Sequence, residues 1–233
     1  YVLTATDATL TAPEGANVTT SVENHIVKYK DGKYIVVGAN VQVKDGDEVK
    51  GTFATLAEAI TAAQASNTIV LLNNITEDVT VDKSVTIDGA NKNYTGNISV
   101  SGTSTAITVK NVNFVNGTGY AITTNRIKSV TVEDCTVTDY GFGFLYANKS
   151  TPTVVVKNVT VDGGNYGFHW VYGTTATLEN VTMTNVTNGL YIQNYASKTI
   201  NLKNCVITKI GIWERDGSSG VQTFNFEGAN TVG

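Results

Sequence analysis

Five stretches of this sequence can be laid over one another without a gap: Ile107–Phe114, Val130–Val137, Val154–Val161, Ala176–Met183 and Ile200–Ile207. Each alternates apolar and polar residues, breaks at an Asn or Asp, and alternates again, so each reads as two short strands joined by a bend. Asn and Asp are the residues that tolerate a left-handed bend. A second block follows each stretch, opened by Gly119-Tyr120, Gly143-Phe144, Gly167-Phe168, Gly189-Leu190 and Gly211-Ile212. A unit of 22 to 24 residues with three short strands cannot bury an apolar face alone, and stacking such units does. The expected fold is all-β: a right-handed, single-stranded parallel β-helix of about seven coils, spaced about 4.8 Å apart.

The columns agree with that stack. Val109, Val132, Val156, Leu178 and Leu202 fall in one inward column, and Val112, Cys135, Val159, Val181 and Cys205 in another. Between them an outward column reads Asp88, Lys110, Glu133, Lys157, Glu179, Lys203, Glu227, alternating in sign at every step. A slip of one coil would set like charges side by side, so the column acts as a register device. Cys135 and Cys205 share a column three coils apart, roughly 14 Å at about 4.8 Å per coil, beyond the ~7 Å Cα limit for a disulfide. They are expected as buried free thiols. Asn111, Asp134, Asn158, Asn180 and Asn204 form the bend column, expected as an internal amide ladder that satisfies buried backbone groups.

An open stack exposes its core and its strand edges. Thr55-Leu-Ala-Glu58 has capping-box spacing, and Leu56, Ile60 and Ala63 give the following helix an apolar side, so it is the expected lid on the first coil. Residues 1–50 lack the repeat, and Lys30-Asp-Gly-Lys33 and Lys44-Asp-Gly-Asp47 mark hairpin turns there. The division expected is a small β subdomain over 1–50, a capping-helix segment over 51–66 and the β-helix over 67–233. Phe224–Glu227 begins a further coil near the end of the sequence, and the chain reads as a piece of a larger precursor.

Thr52–Ala63, Asn67–Asn73 and Val85–Gly89 together resemble the opening of right-handed β-helix domains of the pectate-lyase-like superfamily. Ala8–Gly15 and Lys30–Tyr34 are similar to segments of large surface proteins of Gram-positive gut bacteria. The resemblance implies an extracellular, adhesin-like module, secreted or held at the cell surface. That superfamily holds lyases, hydrolases, phage tailspikes and non-catalytic adhesins, so fold alone does not choose among them.

With 16 Lys plus Arg against 20 Asp plus Glu, and no basic stretch interleaved with aromatics, nucleic acid is excluded as an expected partner. No apolar run is long enough to span a bilayer. His25 and His169 lie in different subdomains, and Asp45-Gly-Asp-Glu48 reads as a hairpin turn rather than a calcium loop, so no metal and no cofactor is expected. The hydrolases of the superfamily need clustered Asp carboxylates. Here Arg126-Ile-Lys128 stands without the Asp-Asp and Gly-His-Gly motifs that should precede it. A lyase needs stacked carboxylates near an Arg base. Only Arg126 and Arg215 are available, and the charge column interposes Lys between its acids. No catalytic residue is assigned.

The strands after the glycines carry the candidate site. If Phe144, Phe168, Leu190 and Ile212 point inward with Tyr146, Trp170 and Ile192, then Leu145, His169, Tyr191 and Trp213 share one outward column. Val171, Gln193 and Arg215 run beside them, with Tyr172, Tyr195 and Asp216 near the bend, and Glu214 falls at a nominally inward position. His169, Tyr172, Tyr191, Gln193, Tyr195, Trp213, Arg215 and Asp216 are the ligand-binding candidates. Aromatic rings offer faces to sugars while Arg, Asp and Gln offer hydrogen bonds. The same face could instead pack on another module of the precursor. A Thr array through Thr136, Thr138, Thr160, Thr182, Thr184 and Thr208 resembles that of ice-binding β-helices, but Asn113, Asp162 and Val206 interrupt it. The reading is a non-catalytic module contacting a polysaccharide or host glycan; the alternative is a polysaccharide lyase or glycoside hydrolase.

Overall fold

The computed structural model describes residues 1–151, 153–214 and 220–233. Among them the repeats stack into a parallel β-solenoid of about seven turns with one short helix. One wall is a thirteen-stranded sheet that ends at Gln222–Glu227, and the other is a seven-stranded sheet running from Val79–Val81 to Ile210–Glu214.

The long strands Ala106–Val115, Ser129–Thr138, Thr153–Asp162 and Thr175–Thr184 are each folded at a residue in the left-handed region: Asn111, Asp134, Asn158 and Asn180, at φ 52°, 54°, 52° and 54°. A β-branched residue there would be strained, which is why the alternating pattern breaks at Asn or Asp. The inward column pairs in register from Ile87 through Val109, Val132, Val156 and Leu178 to Leu202. All six are buried. Cys135 and Cys205 are buried free thiols, and loss of solvent pushes the Cys135 thiol up to about 12 and the Cys205 thiol upward as well.

The charge column also pairs in register from Asp88 to Glu227. Lys110 lies 3.5 Å from Asp88, Lys157 3.7 Å and Lys203 3.3 Å from Glu179, and Lys203 3.2 Å from Glu227. These pairs face water and specify alignment more than they stabilise. The bend column departs from expectation. Asp134, Asn158, Asn180 and Asn204 are exposed, so their ladder runs outside the solenoid rather than within it. The left-handed residue occupies the convex side of the bend, and its side chain projects outward, where it links coils instead of satisfying the interior. Asn158 Nδ2 donates to Asp134 Oδ1 at 2.9 Å, Asn180 Nδ2 to Asn158 Oδ1 at 2.9 Å, and Asn204 Nδ2 to Asn180 Oδ1 at 3.3 Å.

The helix Leu56–Ala62 covers the first coil, with Leu56, Ala59 and Ile60 buried. Thr55 Oγ1 accepts from the Glu58 amide at 3.2 Å, and the Glu77 carboxylate accepts from the amides of Leu56 at 2.9 Å and Ala57 at 3.3 Å. A carboxylate at the first turn satisfies otherwise orphaned donors and favours the helix dipole. Before the helix, the hairpin His25–Lys30 and Lys33–Gly38 joins Thr9–Thr11 in an antiparallel sheet over a small core of Leu3, Tyr34 and Val36. The next hairpin, Val41–Asp45 with Glu48–Phe53, pairs antiparallel with Thr68–Leu71 and sends Val41 and Val43 into the main core. At the far end Ile212, Trp213, Val221 and Phe226 are exposed on the last coil. Among the described residues no helix is long and apolar enough to cross a membrane.

Candidate functional site

The seven-stranded wall positions the aromatic residues, and its register differs from the one expected. Ile122, Leu145, Phe168, Leu190 and Ile210 pair as the inward column, so the outward column beside it is Thr123, Tyr146, His169, Tyr191 and Gly211. Leu145 is therefore buried and Tyr146 faces out, the reverse of the expected assignment. Trp213 pairs with Gln193 and stands one outward column away from Tyr191. Ile212 and Glu214 keep the expected inward register, paired with the buried Ile192 and Asn194, yet both are exposed because their strand is the last of the seven-stranded wall. The slip arises at the bends. Gly143 aligns with Tyr120 and Tyr166, not with Gly119 and Gly167, because the bend that precedes it holds one residue more than the sequence pattern suggests. Since strand side chains alternate, a slip of one residue exchanged inside and outside on that rung.

The outward rings form one continuous cluster. Tyr120 stacks on Phe142 at 5.9 Å and Tyr146 at 5.1 Å between centroids, and His169 lies 4.7 Å from Tyr146, 4.9 Å from Tyr166 and 5.1 Å from Tyr191. Each ring contact adds about 0.5–1.5 kcal/mol beyond area burial. Space for it comes from glycine: a Cβ on Gly143 would stand 1.8 Å from the Tyr166 carbonyl oxygen. A second, smaller stack lies near the following bend, where Tyr172 and Tyr195 are 4.6 Å apart at 23° and Trp213 is 6.1 Å from Tyr195.

His169 is the polar centre of the cluster. Its Nδ1 is 2.8 Å from Tyr120 Oη, and its Nε2 is 3.1 Å from Gln193 Nε2. With the Gln193 amide nitrogen donating to Nε2, the ring proton sits on Nδ1 and is donated to the Tyr120 oxygen. Desolvation among the rings pushes its pKa down to about 4, so His169 is neutral at physiological pH. The same desolvation lifts the phenol of Tyr120 well above its ordinary range and raises those of Tyr146 and Tyr191. The face thus carries neutral rings and hydroxyl groups, chemistry suited to stacking and hydrogen bonding rather than to nucleophilic or acid–base work.

Of the sequence candidates, His169, Tyr191 and Gln193 meet on this face, whereas Tyr172, Tyr195 and Trp213 form the separate stack. Arg215 and Asp216 lie outside the described residues. Sequence reasoning missed Tyr120, Phe142, Tyr146 and Tyr166. Counting back from the aligned pair Asn125 and Asn148, rather than forward from the glycines, would have brought Tyr146 into the column.

Where the seven-stranded wall turns away, Thr103, Arg126, Lys128, Ser150 and Tyr172 line a groove of about 500 Å³. A hollow of about 270 Å³ shares Arg126, Ser150 and Tyr172 with it and adds Lys149. Beneath, Trp170 is buried, and its Nε1 has no hydrogen-bond partner among the described residues. Gly173 lies against that nitrogen, 2.4 Å from where a Cβ would stand. Lys198, also buried, donates to the carbonyl oxygens of Gln193 at 2.9 Å and Ala196 at 3.3 Å. Among the described residues no group of three or more His, Cys, Asp or Glu is placed to hold a metal ion. Comparison with protein-family models, curated proteins and solved structures finds no match to this chain.

Proposed function

We propose that this chain is a non-catalytic, extracellular module of a bacterial cell-surface protein, adhesin-like, which contacts glycans through the outer face of its seven-stranded wall. The observation that carries the reading is the ring cluster of Tyr120, Tyr146, Tyr166, His169 and Tyr191 on successive coils. Coils repeat at about 4.8 Å, close to the length of one sugar unit, so successive rungs can meet successive rings of a saccharide laid along the solenoid axis. A rigid β wall holds these groups in fixed positions, which lowers the ordering cost of binding. The sequence resemblance of Thr52–Ala63, Asn67–Asn73 and Val85–Gly89 to the opening of pectate-lyase-like β-helix domains, whose enzymes act on polysaccharides, favours the same class of ligand.

A glycan array with the purified chain tests this. Retention of a neutral or acidic glycan, reduced tenfold or more by Tyr146→Ala and Tyr191→Ala, is the expected result. Binding unaffected by both substitutions would remove the ring face from the mechanism, and an array with no retained glycan would remove the glycan reading.

A further inference from the structure

The groove beside the ring face has a chemistry of its own. Every charged side chain on its rim is cationic: Arg126 and Lys128 on one bend and Lys149 on the next. No Asp or Glu lines it among the described residues; the acids on that edge of the wall flank the groove, Asp82 two coils before Arg126 and Glu214 on the coil after Ala196. The acids gather at the opposite edge, where Glu77, Asp78, Asp139 and Asp162 occupy the bends that lead into the same strands. A chain with a net charge of −4 therefore presents a local positive edge.

The lining itself is largely apolar, and two further donors are buried behind it. The Trp170 indole N–H is unpaired beneath Gly173, the Lys198 ammonium lies over the Trp170 ring and is held by the Gln193 and Ala196 carbonyl oxygens, and Ser150 and Thr103 are on the lining itself. A largely apolar groove with one aromatic wall, Tyr172, and a cationic rim suits an acceptor-rich anion attached to a ring-shaped body. Arg126 stands at φ 54°, a strained backbone for a long side chain, at the point shared by both hollows. The guanidinium offers a planar fork, and the two ammonium groups approach from adjacent bends. Three terminal oxygens in a pyramid can meet donors from three directions, whereas a planar carboxylate fills one fork.

We infer that this groove is a binding site for a sulfate ester carried on a saccharide, with Arg126, Lys128 and Lys149 around the ester and Tyr172 against the sugar. The inference rests on the glycan reading for the nature of its ligand but uses a different set of residues.

The test measures binding of the intact chain to immobilised dextran, dextran sulfate and polygalacturonate at low and high ionic strength. The expected result is retention of dextran sulfate above the other two, weakening steeply with salt. Arg126→Asn combined with Lys149→Gln should lower that affinity tenfold or more, Asn being chosen because it tolerates the left-handed backbone. Tyr172→Ala, which leaves every charge in place, should lower it severalfold and so separates a site from simple ion exchange. Circular dichroism of each variant establishes that the fold is kept. Equal retention of dextran sulfate and polygalacturonate overturns the sulfate assignment, and dextran sulfate binding that survives the double substitution overturns the site. If dextran sulfate binds as expected while Tyr146→Ala and Tyr191→Ala change nothing on the array, the ring face falls and the groove stands. If glycans bind the ring face without preferring sulfate, the groove falls alone.

Discussion

His169 links the ring face to the stability of the whole wall, and the link can be measured by pH. In the folded chain its pKa is pushed down to about 4, against an ordinary value of 6.5. Between those values the unfolded chain binds a proton that the folded chain refuses, so stability falls as pH falls through this window. One pKa unit corresponds to about 1.4 kcal/mol, which places the loss between pH 6.5 and pH 5 at no more than ~2 kcal/mol. The ring is only half-buried, and solvent screening reduces this to about 1 kcal/mol. For a chain of this length the change corresponds to roughly 2–4 °C in Tm. Differential scanning calorimetry from pH 7.5 to pH 5, above most carboxylate titration, should show that decline in the native sequence. His169→Phe keeps a ring against Tyr146 and Tyr166 but cannot titrate, so its Tm should be flat across the window. A flat Tm in the native sequence, or an undiminished slope in His169→Phe, would refute the placement of a neutral imidazole at the centre of the cluster.

Three further outcomes follow from the solenoid itself. Glu179→Lys places three lysines in succession along the charge column, and should lower Tm by a few degrees at low ionic strength, with the deficit shrinking in about 1 M salt; a salt-independent effect would mean the column does not set register. Asn158→Ala forces an alanine to φ 52° and removes two ladder bonds, for an expected loss of ~1–2 kcal/mol in urea denaturation, while Asn158→Gly should lose less. Cys135 and Cys205 should resist an aromatic disulfide reagent in the native chain and both react in denaturant, and rapid native labelling would contradict their burial.

Legibility in the sequence differed between the two walls for a physical reason. On the thirteen-stranded wall the strands from Ala106–Val115 to Thr175–Thr184 each pass through the bend in a single residue, so Lys110, Asn111 and Val112 repeat as Lys157, Asn158 and Val159 without a gap and columns and charges align directly; the earlier strand Thr86–Thr95 takes three residues there, Gly89 to Asn91. The seven-stranded wall is reached through bends of unequal length, and glycine was a poor marker there because it serves several purposes. Gly143 permits close approach to the Tyr166 carbonyl, while Gly167 sits against the Met183 sulfur and the Gly189 carbonyl. Tyr146 was consequently assigned to the core. The groove had no motif at all: Arg126, Lys149 and Tyr172 become neighbours only because consecutive bends stack, a relation that spacing conceals once the bends vary.

Bend length has a further meaning for how such a chain changes over generations. From the charge-column residue to the first paired inward residue of the seven-stranded wall, the chain takes 12 residues in the coil of Lys110 and only 7 in the coil of Lys203. The wall accommodates both. An inserted or deleted codon in these bends therefore leaves the charge column and the valine column undisturbed, yet changes which side chain a rung presents to the outside. The thirteen-stranded wall absorbs extra length at the bend between Asp88 and Lys92, whereas the approach to the ring-bearing wall varies in length from coil to coil. Novelty in this molecule has a preferred address, and it is the surface that carries the rings.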